Sequence, residues 1–589
     1  MITERRDLSA RENRFLVILF LLIFAPFSNS AQDFYLGVDL SYVNQLEDCG
    51  TTYFNQYGIE EEPYQLFADN GANTVRLRLW HDPEWTNYSN FEDVKKSIGR
   101  AKALGLKVIL DLHYSDFWAD PSRQWRPAAW NAITDDQVLG DSVYQYTYNI
   151  LLTLSDQGLL PDIVQIGNEI NGNILIKRNN ESLDDHSSGL SPVNWPRQVS
   201  LLDQGINAVR NINSLKSSNL KTLIHIAQPE NAIWWFRDGV ANGLEGFDII
   251  GLSYYPQWSE LGVREVGEHI AFLKSTYQKE VMIVETGYPW TIDSSSDNAG
   301  NVLGLESSLS TYGTLFSKVI QREFLTELTY LVKANGGLGV IYWEPAWVSS
   351  SCNTYWATGS HFENAALFDF DNQLHEGADF LSYDYNVKPD GLKNKKVTFM
   401  VNMTGIDTKN GVFVTGSFTG TNWEFVSMVD TGDNIFELET TIDGRSSGAY
   451  IFYNKDQWSN VYREEVPVSC AKIWDTHRQY DVNNEPIIFE FAWESCTNVP
   501  NSENIVSAEH EGKVDDEIIP YPNPANDRII IPQPNANGFE LYVLDVLANE
   551  VSRDYIINNE VDLLDIEPGI YILKAVINNK IYNWKIIKQ

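Results

Sequence analysis

Two short stretches of this 589-residue chain place a carboxylate where chemistry could use it. In Asp162-Ile163-Val164-Gln165-Ile166-Gly167-Asn168-Glu169-Ile170-Asn171-Gly172-Asn173, a β-branched apolar run ends in Glu169 and then in Asn/Gly turn residues. That is the pattern of a buried strand delivering a side chain to its C-terminal tip. Glu280-Val281-Met282-Ile283-Val284-Glu285-Thr286-Gly287-Tyr288 repeats the form and ends in Glu285. Paired carboxylates without a cofactor motif point to glycoside hydrolysis, in which one acid protonates the leaving oxygen and the other attacks or activates water. The bland alternative is a strand-end Glu that only caps a helix. The chain has no Walker loop, no GxGxxG opening a helix, no GxSxG and no HExxH. Its His and Cys are too scattered for a transition-metal site, and no strand-tip Lys stands out for an aldolase-type Schiff base.

Strand-tip carboxylates need a scaffold, and from residue 35 to about 390 short apolar runs alternate with amphipathic stretches, the signature of parallel βα units. Eight strands are expected: Tyr35 to Val43, Thr74 to Trp80, Lys107 to Tyr114, Asp162 to Glu169, Leu220 to Gln228, Asp248 to Tyr255, Glu280 to Tyr288 and Gly337 to Pro345. That number implies an α/β fold closed as a (β/α)8 TIM barrel, whose strand tips carry the active site. After Asn90, the residues Val94, Ile98, Ala101 and Leu104 keep helical spacing, and Gly105 stops the helix. Leu315, Val319, Leu328 and Leu331 do the same before the last strand, and Gly336-Gly337 ends that helix. Alternation along strands groups Glu169 with Gly167 and Gln165, Glu285 with Ile283 and Val281, His113 with Asp111, and Arg76 with Arg78. Arg76 is expected to pair with Asp111 beneath the pocket in a structural role, and Arg78, nearer the tip, to hold the nucleophile or a sugar hydroxyl.

Outside the barrel the organisation is modular, as the length requires. Arg5, Arg6, Arg11 and Arg14, the apolar run Phe15 to Phe24 and then Ser28-Asn29-Ser30-Ala31 form a secretory signal over 1–30, with a membrane anchor as the alternative. The apolar run is short for spanning and no other segment is long enough, so no stable membrane span is expected. The barrel occupies 31–390. Val397 to Met403 opens a run of alternating β segments, a β-sandwich over 395–497, followed by a polar linker at 498–518 and a last β-rich module at 519–589. Of the four cysteines, Cys470 and Cys496 fall in one segment and are expected to bridge locally. A net charge of -37 argues against nucleic acid and anionic membranes as partners, whereas 18 Trp and 29 Tyr suit stacking on sugar rings.

Four motifs then carry a family resemblance. Gly37-Val38-Asp39-Leu40-Ser41, Arg76-Leu77-Arg78-Leu79-Trp80, Asp111-Leu112-His113-Tyr114-Ser115-Asp116-Phe117-Trp118-Ala119-Asp120-Pro121 and Glu285-Thr286-Gly287-Tyr288-Pro289-Trp290, with Asn168-Glu169 between them, occur in this order. Across residues 35 to 385 the chain resembles glycoside hydrolase family 53, the endo-β-1,4-galactanases. The resemblance implies cleavage inside β-1,4-galactan and type I arabinogalactan with retention, Glu169 as general acid/base and Glu285 as nucleophile, and no cofactor for catalysis. Retention requires carboxyls about 5 to 5.5 Å apart, and Glu169 must start protonated, chiefly through the charge of Glu285.

Supporting roles follow by position. Asn168 would hold the sugar 2-hydroxyl, Tyr254 would hydrogen-bond Glu285, and His113, Asp116 and Trp118 would line the cleft. Trp343 and Trp347 would be sugar platforms, with core packing as the alternative, and His225 leans towards the cleft. Cys49 and Cys352 follow the first and eighth strands, neighbours in a closed barrel; a bridge there would staple two loops, with free thiols the alternative. Some family members hold structural calcium after the seventh and eighth strands, where Asp293, Asp297, Asn301 and Asp369 offer oxygen ligands without regular spacing.

The appended modules bear resemblances of their own. Gly411 to Phe418, Asn422-Trp423 and Tyr450 to Asn454 look like a starch-binding-type sandwich, in which Trp423 and Trp458 would meet polysaccharide or simply fill a spacer's core. Tyr521-Pro522-Asn523-Pro524-Ala525 and the stretch from Glu567-Pro568-Gly569 to Lys588 are similar to a type IX secretion sorting domain. That resemblance implies export machinery as a partner, and a route through the periplasm and across the outer membrane. The rival readings are another retaining β-1,4-glycanase, such as a mannanase or glucanase, and a non-catalytic surface polysaccharide-binding protein.

Overall fold

A computed structural model describes residues 34–178, 192–294, 299–304, 316–355, 357–420, 422–467, 470–471, 476–482 and 487–496, together with the backbone of six strands between 528 and 588. Residues 1–30, expected as a signal segment, the expected linker at 498–518, Leu315, Asp297 and the motif at 521–525 lie outside the described residues. The first compact unit ends at residue 499.

Eight parallel strands close into a barrel in sequence order: β1 (Tyr35–Asp39), β2 (Thr74–Leu79), β3 (Lys107–Leu112), β4 (Ile163–Ile166), β5 (Lys221–Ala227), β6 (Ile249–Tyr254), β7 (Glu280–Thr286) and β8 (Gly339–Tyr342). β1 pairs with β8 to complete the ring. The helices are α1 (Val43–Asp48), α2 (Pro63–Asp69), α3 (Phe91–Ala103), α4 (Asp136–Asp156), α5 (Trp195–Lys216), α6 (Pro229–Ala241), α7 (Val263–Tyr277) and α8 (Lys318–Ala334). Asn90 caps α3 by accepting a bond from the Asp93 amide, and Val94, Ile98 and Ala101 turn inward at the expected spacing.

Two cores meet at the barrel wall. Ile109, Ile163, Leu223, Ile249, Met282, Val284 and Ile341 fill the barrel's interior. The other strand face packs on the helices, with Val281, Ile283, Ile250 and Leu252 among its members. The division corrects the grouping of Glu285 with Ile283 and Val281. The β6–β7 ladder pairs Leu252 with Ile283 and then Ser253 with Glu285, so Val284 is an extra residue. Such a bulge lets two successive side chains share a face. Val284 and Glu285 therefore both turn inward, while Ile283 faces the helices.

Cys49 is bonded to Cys352, joining the loop after α1 to the loop after β8, and Cys470 is bonded to Cys496. Beyond the barrel, β9 (Asn394–Asn402), β10 (Phe413–Gly416), β11 (Val426–Ser427), β12 (Val429–Gly432), β13 (Ile435–Asp443), β14 (Ser447–Tyr453), β15 (Arg478–Asp481) and β16 (Ile487–Ala492) form two four-stranded sheets. Val397, Phe399, Val414, Tyr450 and Phe452 fill the core between them. The sandwich is tied to the barrel by Arg445, whose Nε donates to Glu327 of α8 at 3.0 Å, and by Arg264 of α7, which donates to the Gly444 and Leu392 carbonyls. Trp458 is 56% exposed, whereas Trp423 is half-buried with its ring edge on His477.

In the second unit, the backbone of β17 (Arg528–Ile530) pairs with β20 (Glu560–Asp562). β18 (Phe539–Leu544), β19 (Glu550–Ile556), β21 (Gly569–Ile577) and β22 (Lys580–Lys588) form an antiparallel sheet in the order β19-β18-β21-β22. Among the described residues no helix is long and apolar enough to cross a membrane.

Candidate active site

Parity brings the inward side chains of six strands together as a polar layer above the apolar interior: Asp39, Arg76, Asp111, Gln165, His225 and Ser253. All are buried. Arg76 is their hub. Its guanidinium lies 2.8 Å from carboxylate oxygens of Asp39, Asp111 and Glu285 alike, and also donates to Asn168 Oδ1 at 2.8 Å and Gln165 Oε1 at 3.1 Å. The expected pair with Asp111 is present, but a purely structural role is too small for Arg76, since it also grips Glu285. Three carboxylates around one cation hold its proton very tightly.

β4 ends at Ile166, three residues short of Glu169. Gly167 then takes φ +81° and Glu169 φ +46°, a left-handed turn that an L residue adopts only at a cost of about 1–3 kcal/mol. The turn swings the Glu169 carboxyl over the barrel mouth, where Ser253 Oγ meets its Oε1 at 2.6 Å.

Glu169 and Glu285 line one cavity of about 460 Å3, together with Asn168, Trp118, Trp343 and Trp347. Burial lifts the Glu169 carboxyl well above the carboxylate range, with the charge of Glu285 second and Asp120 adding to it. Burial also pushes Glu285 up to about 7, but Arg76 opposes the shift. Like charges in one pocket cannot both ionise freely. The first proton to leave therefore comes from Glu285, which has the guanidinium, and Glu169 retains its own. Burial, ahead of the Glu285 charge, is the main cause of the Glu169 shift, which corrects the expected order.

Several residues expected at the cleft lie behind it. The Arg78 guanidinium sits 4.1 Å from the Trp118 ring centroid, 4.6 Å from Trp80 and 4.8 Å from Tyr42, and bonds Glu344 at 3.2 Å. It backs the Trp118 ring, while Glu285 is held by Arg76 and Tyr255 instead. His113 accepts from the Ala119 amide at 3.2 Å and faces Asp111 at 3.0 Å, fixing the loop that carries Trp118. Asp116 accepts from the Asp82 and Ala128 amides at 2.9 and 2.7 Å and pins neighbouring loops. His225, fully buried, lies under Glu169 in the polar layer. The Asn168 amide is already engaged: Oδ1 by Arg76, Nδ2 by the Ala119 carbonyl at 2.8 Å.

Tyr254 was expected on Glu285, but its hydroxyl donates to the Leu261 carbonyl at 2.8 Å on the helix side, and Tyr255 reaches Glu285 Oε2 at 3.3 Å. Parity explains the swap. Residues 249, 251 and 253 face the barrel axis, so 255 follows them and 254 cannot. Trp343 meets Phe362 edge-on at 4.8 Å and is half-buried, while Trp347 stacks on Tyr42 at 4.1 Å. Trp258, 50% exposed at the cavity's edge, and Ser253 were not anticipated from the sequence. Asp369 is paired with Lys318 at 2.9 Å, and among the described residues no group of three or more His, Cys, Asp or Glu gathers as a metal site.

Comparison with known proteins matches residues 35–381 to the model of "Glycosyl hydrolase family 53" and residues 520–589 to a "Secretion system C-terminal sorting domain". An arabinogalactan endo-beta-1,4-galactanase of Cellvibrio japonicus is 50% identical over 336 residues, 57% of this chain and 86% of that protein. An endo-beta-1,4-galactanase of Bacillus subtilis is 29% identical over 384 residues, covering 58% of this chain and 83% of its own. Among solved structures, the GH53 catalytic domain of Ignisphaera aggregans superposes with a TM-score of 0.53 at 32% identity, covering 61% of this chain and 99% of that one. A fungal beta-1,4-galactanase gives 0.51 at 31% identity, over 59% of this chain and 99% of its own.

Proposed function

The chain belongs to glycosyl hydrolase family 53, and on that footing we propose that it cleaves internal β-1,4-galactosidic bonds of galactan and type I arabinogalactan by double displacement. The observation that carries the assignment of roles is the contrast between the two carboxyls of one cavity. Glu285 is held by a guanidinium at 2.8 Å and Glu169 only by a hydroxyl at 2.6 Å. The guanidinium stabilises an anion, so Glu285 is the nucleophile; Glu169, lacking a cation, keeps its proton and is the acid.

Glu285 attacks the anomeric carbon as Glu169 protonates the leaving O4, and a galactosyl ester forms on Glu285. Esterification removes the negative charge beside Glu169. Its proton affinity falls, and it becomes the base that activates the incoming water. Tyr255, within 3.3 Å of Glu285 Oε2, orients the nucleophile before attack. Trp118, Trp343 and Trp347 offer ring surface for sugar stacking in the same cavity. The sorting domain at 520–589 implies secretion across the outer membrane to the cell surface or beyond. The basic and apolar start of the chain supports a cleaved leader for the first step of that route.

The test is sugar release from linear galactan, mannan and barley β-glucan by the wild-type protein and Glu285→Gln, with the anomeric form of the first products followed by NMR. Release of short β-galactooligosaccharides from galactan alone, abolished by the substitution, supports the proposal. Activity on another β-1,4-glycan overturns the substrate, and products of inverted configuration overturn the mechanism.

A further inference from the structure

Ser253 and His225 belong to no motif singled out above, yet they form a chain that ends on Glu169. Ser253 Oγ lies 2.6 Å from Glu169 Oε1 and 2.9 Å from His225 Nε2, and His225 Nδ1 lies 2.8 Å from Asn168 Oδ1. Ser253 and His225 are fully buried, so water cannot rearrange these bonds.

The direction of each bond follows from its fixed end. Asn168 Nδ2 donates to the Ala119 carbonyl at 2.8 Å and Oδ1 accepts from Arg76 Nη2 at 2.8 Å. Turning the amide over would set an NH2 group against the guanidinium, so Oδ1 is the atom facing His225. An oxygen at 2.8 Å from Nδ1 requires that Nδ1 carry the proton. Gln165 Nε2, 3.1 Å from Nδ1, donates one proton to Asp111 at 2.6 Å and has the Gly167 carbonyl at 3.1 Å for the other. The Glu169 amide N–H also points at Nδ1, but from 3.4 Å, the longest of these contacts, against 2.8 Å for the Asn168 oxygen.

Burial and the neighbouring Arg76 hold His225 well below its usual range, hence neutral. A neutral ring protonated at Nδ1 has a bare lone pair at Nε2. Ser253 Oγ is placed to donate to a Glu169 carboxylate at 2.6 Å, but with Glu169 protonated its single proton goes to Nε2 and Ser253 Oγ accepts from Glu169.

We infer that His225, fixed as the Nδ1–H form by Asn168, turns the Ser253 hydroxyl into a proton acceptor for Glu169 and so keeps the acid loaded between turnovers. Both are positioning residues, since neither touches the scissile bond. When Glu169 gives up its proton, the Ser253 hydroxyl rotates to donate to the new carboxylate, which leaves Nε2 facing an oxygen lone pair. That contact favours reprotonation from the incoming water and resets the site. No proton passes through the serine, and the count on His225 never changes. The charged and titratable groups facing the chain are Arg76 from β2, Asp111 and His113 from β3, Asp120 from the following loop and Glu285 from β7. The inference rests on the assignment of Glu169 as the acid.

The test is the pH profile of kcat/KM on galactan, whose basic limb reports loss of the Glu169 proton in the free enzyme. Ser253→Ala removes the acceptor, and His225→Phe frees the Ser253 proton to stabilise the carboxylate. Both should move the basic limb to lower pH by about one unit and leave the acidic limb in place. A limb that moves up or stays overturns the inference, because a serine serving as donor to Glu169 would give an upward shift. Should His225→Phe fail to fold, Ser253→Ala still decides the sign. Nitrogen NMR of the wild-type protein labelled at its 9 histidines, with His225→Gln to assign the resonance, reads the tautomer directly. A proton on Nδ1 supports the inference and a proton on Nε2 overturns it. Wild-type protein inactive on galactan would instead remove the functional assignment, and the tautomer measurement would stand apart from that failure.

Discussion

Among the described residues two arginines are each 1% exposed, Arg76 in the barrel and Arg478 in the sandwich. Arg478 has one carboxylate, Glu464, at 2.9 and 2.6 Å, and its guanidinium lies against the rings of Phe452 and Phe491. Arg76 has three carboxylates at 2.8 Å, with Glu169 just beyond. One cation and one anion cancel, so the sandwich pair is electrically closed and serves packing. In the barrel the anions outnumber the cation, and the surplus appears as raised proton affinity on Glu169 and Glu285. In the barrel the unequal count of buried charges accompanies raised proton affinity, whereas in the sandwich pair the count is equal.

That contrast is most exposed to Glu285→Gln, which removes the anion proposed as the nucleophile. Activity on galactan should fall on the order of 10^4-fold or more while the thermal transition persists; substantial residual turnover would mean that the surplus charge has no chemical role. Arg76→Lys keeps the charge but cannot hold three carboxylates in a planar fork. A loss in kcat of about 10^2- to 10^3-fold is expected, measured on an aryl galactobioside to separate chemistry from polymer binding.

In the sandwich, Arg478→Met leaves Glu464 buried and unpaired. Denaturant unfolding should report a destabilisation of about 3–5 kcal/mol, with kcat on galactan unchanged; a large drop in kcat would break the distinction between the two arginines. Tyr255→Phe should cost about 10-fold in kcat through one lost bond to Glu285, with KM little altered.

The smallest effect concerns stability against pH. The Glu169 carboxyl binds its proton more tightly in the folded chain than at its ordinary value of 4.5. Its contribution to stability is therefore complete below about 4.5 and is lost as pH rises through its folded value. Glu169→Gln cannot ionise, so its melting temperature should gain on the wild type by a few degrees between pH 4 and pH 8. A pH-independent difference would show that Glu169 titrates as an ordinary surface acid.

Much of the architecture was legible before any coordinate. Eight apolar runs at βα spacing predicted the closed barrel, and Asn90 and Gly105 bracketed α3 because capping is local chemistry. Glu169 and Glu285 stood out because each ends an apolar run in a carboxylate, a pattern that needs no partner to be seen. Placement of their neighbours failed where a one-residue change in phase mattered. Tyr254 and Tyr255 are adjacent, and only counting from Ser253 along β6 tells which of them faces the axis.

By itself, then, the sequence determined the number and order of the barrel strands and singled out two carboxylates at strand tips, all set by local propensity, alternation and motif. Only the tertiary structure decided how differently those two carboxylates hold their protons. The bulge that turns Glu285 inward is invisible in an alternation that continues past it. The left-handed backbone at Glu169 is held from outside its own strand, by the His225 carbonyl accepting from the Ile170 amide and by Gln124 donating to the Glu169 carbonyl. The partners that set their charge come from β1, β2, β3 and β6, far apart along the chain. Proton affinity is a sum over everything nearby in space, and no reading along the chain alone can take that sum.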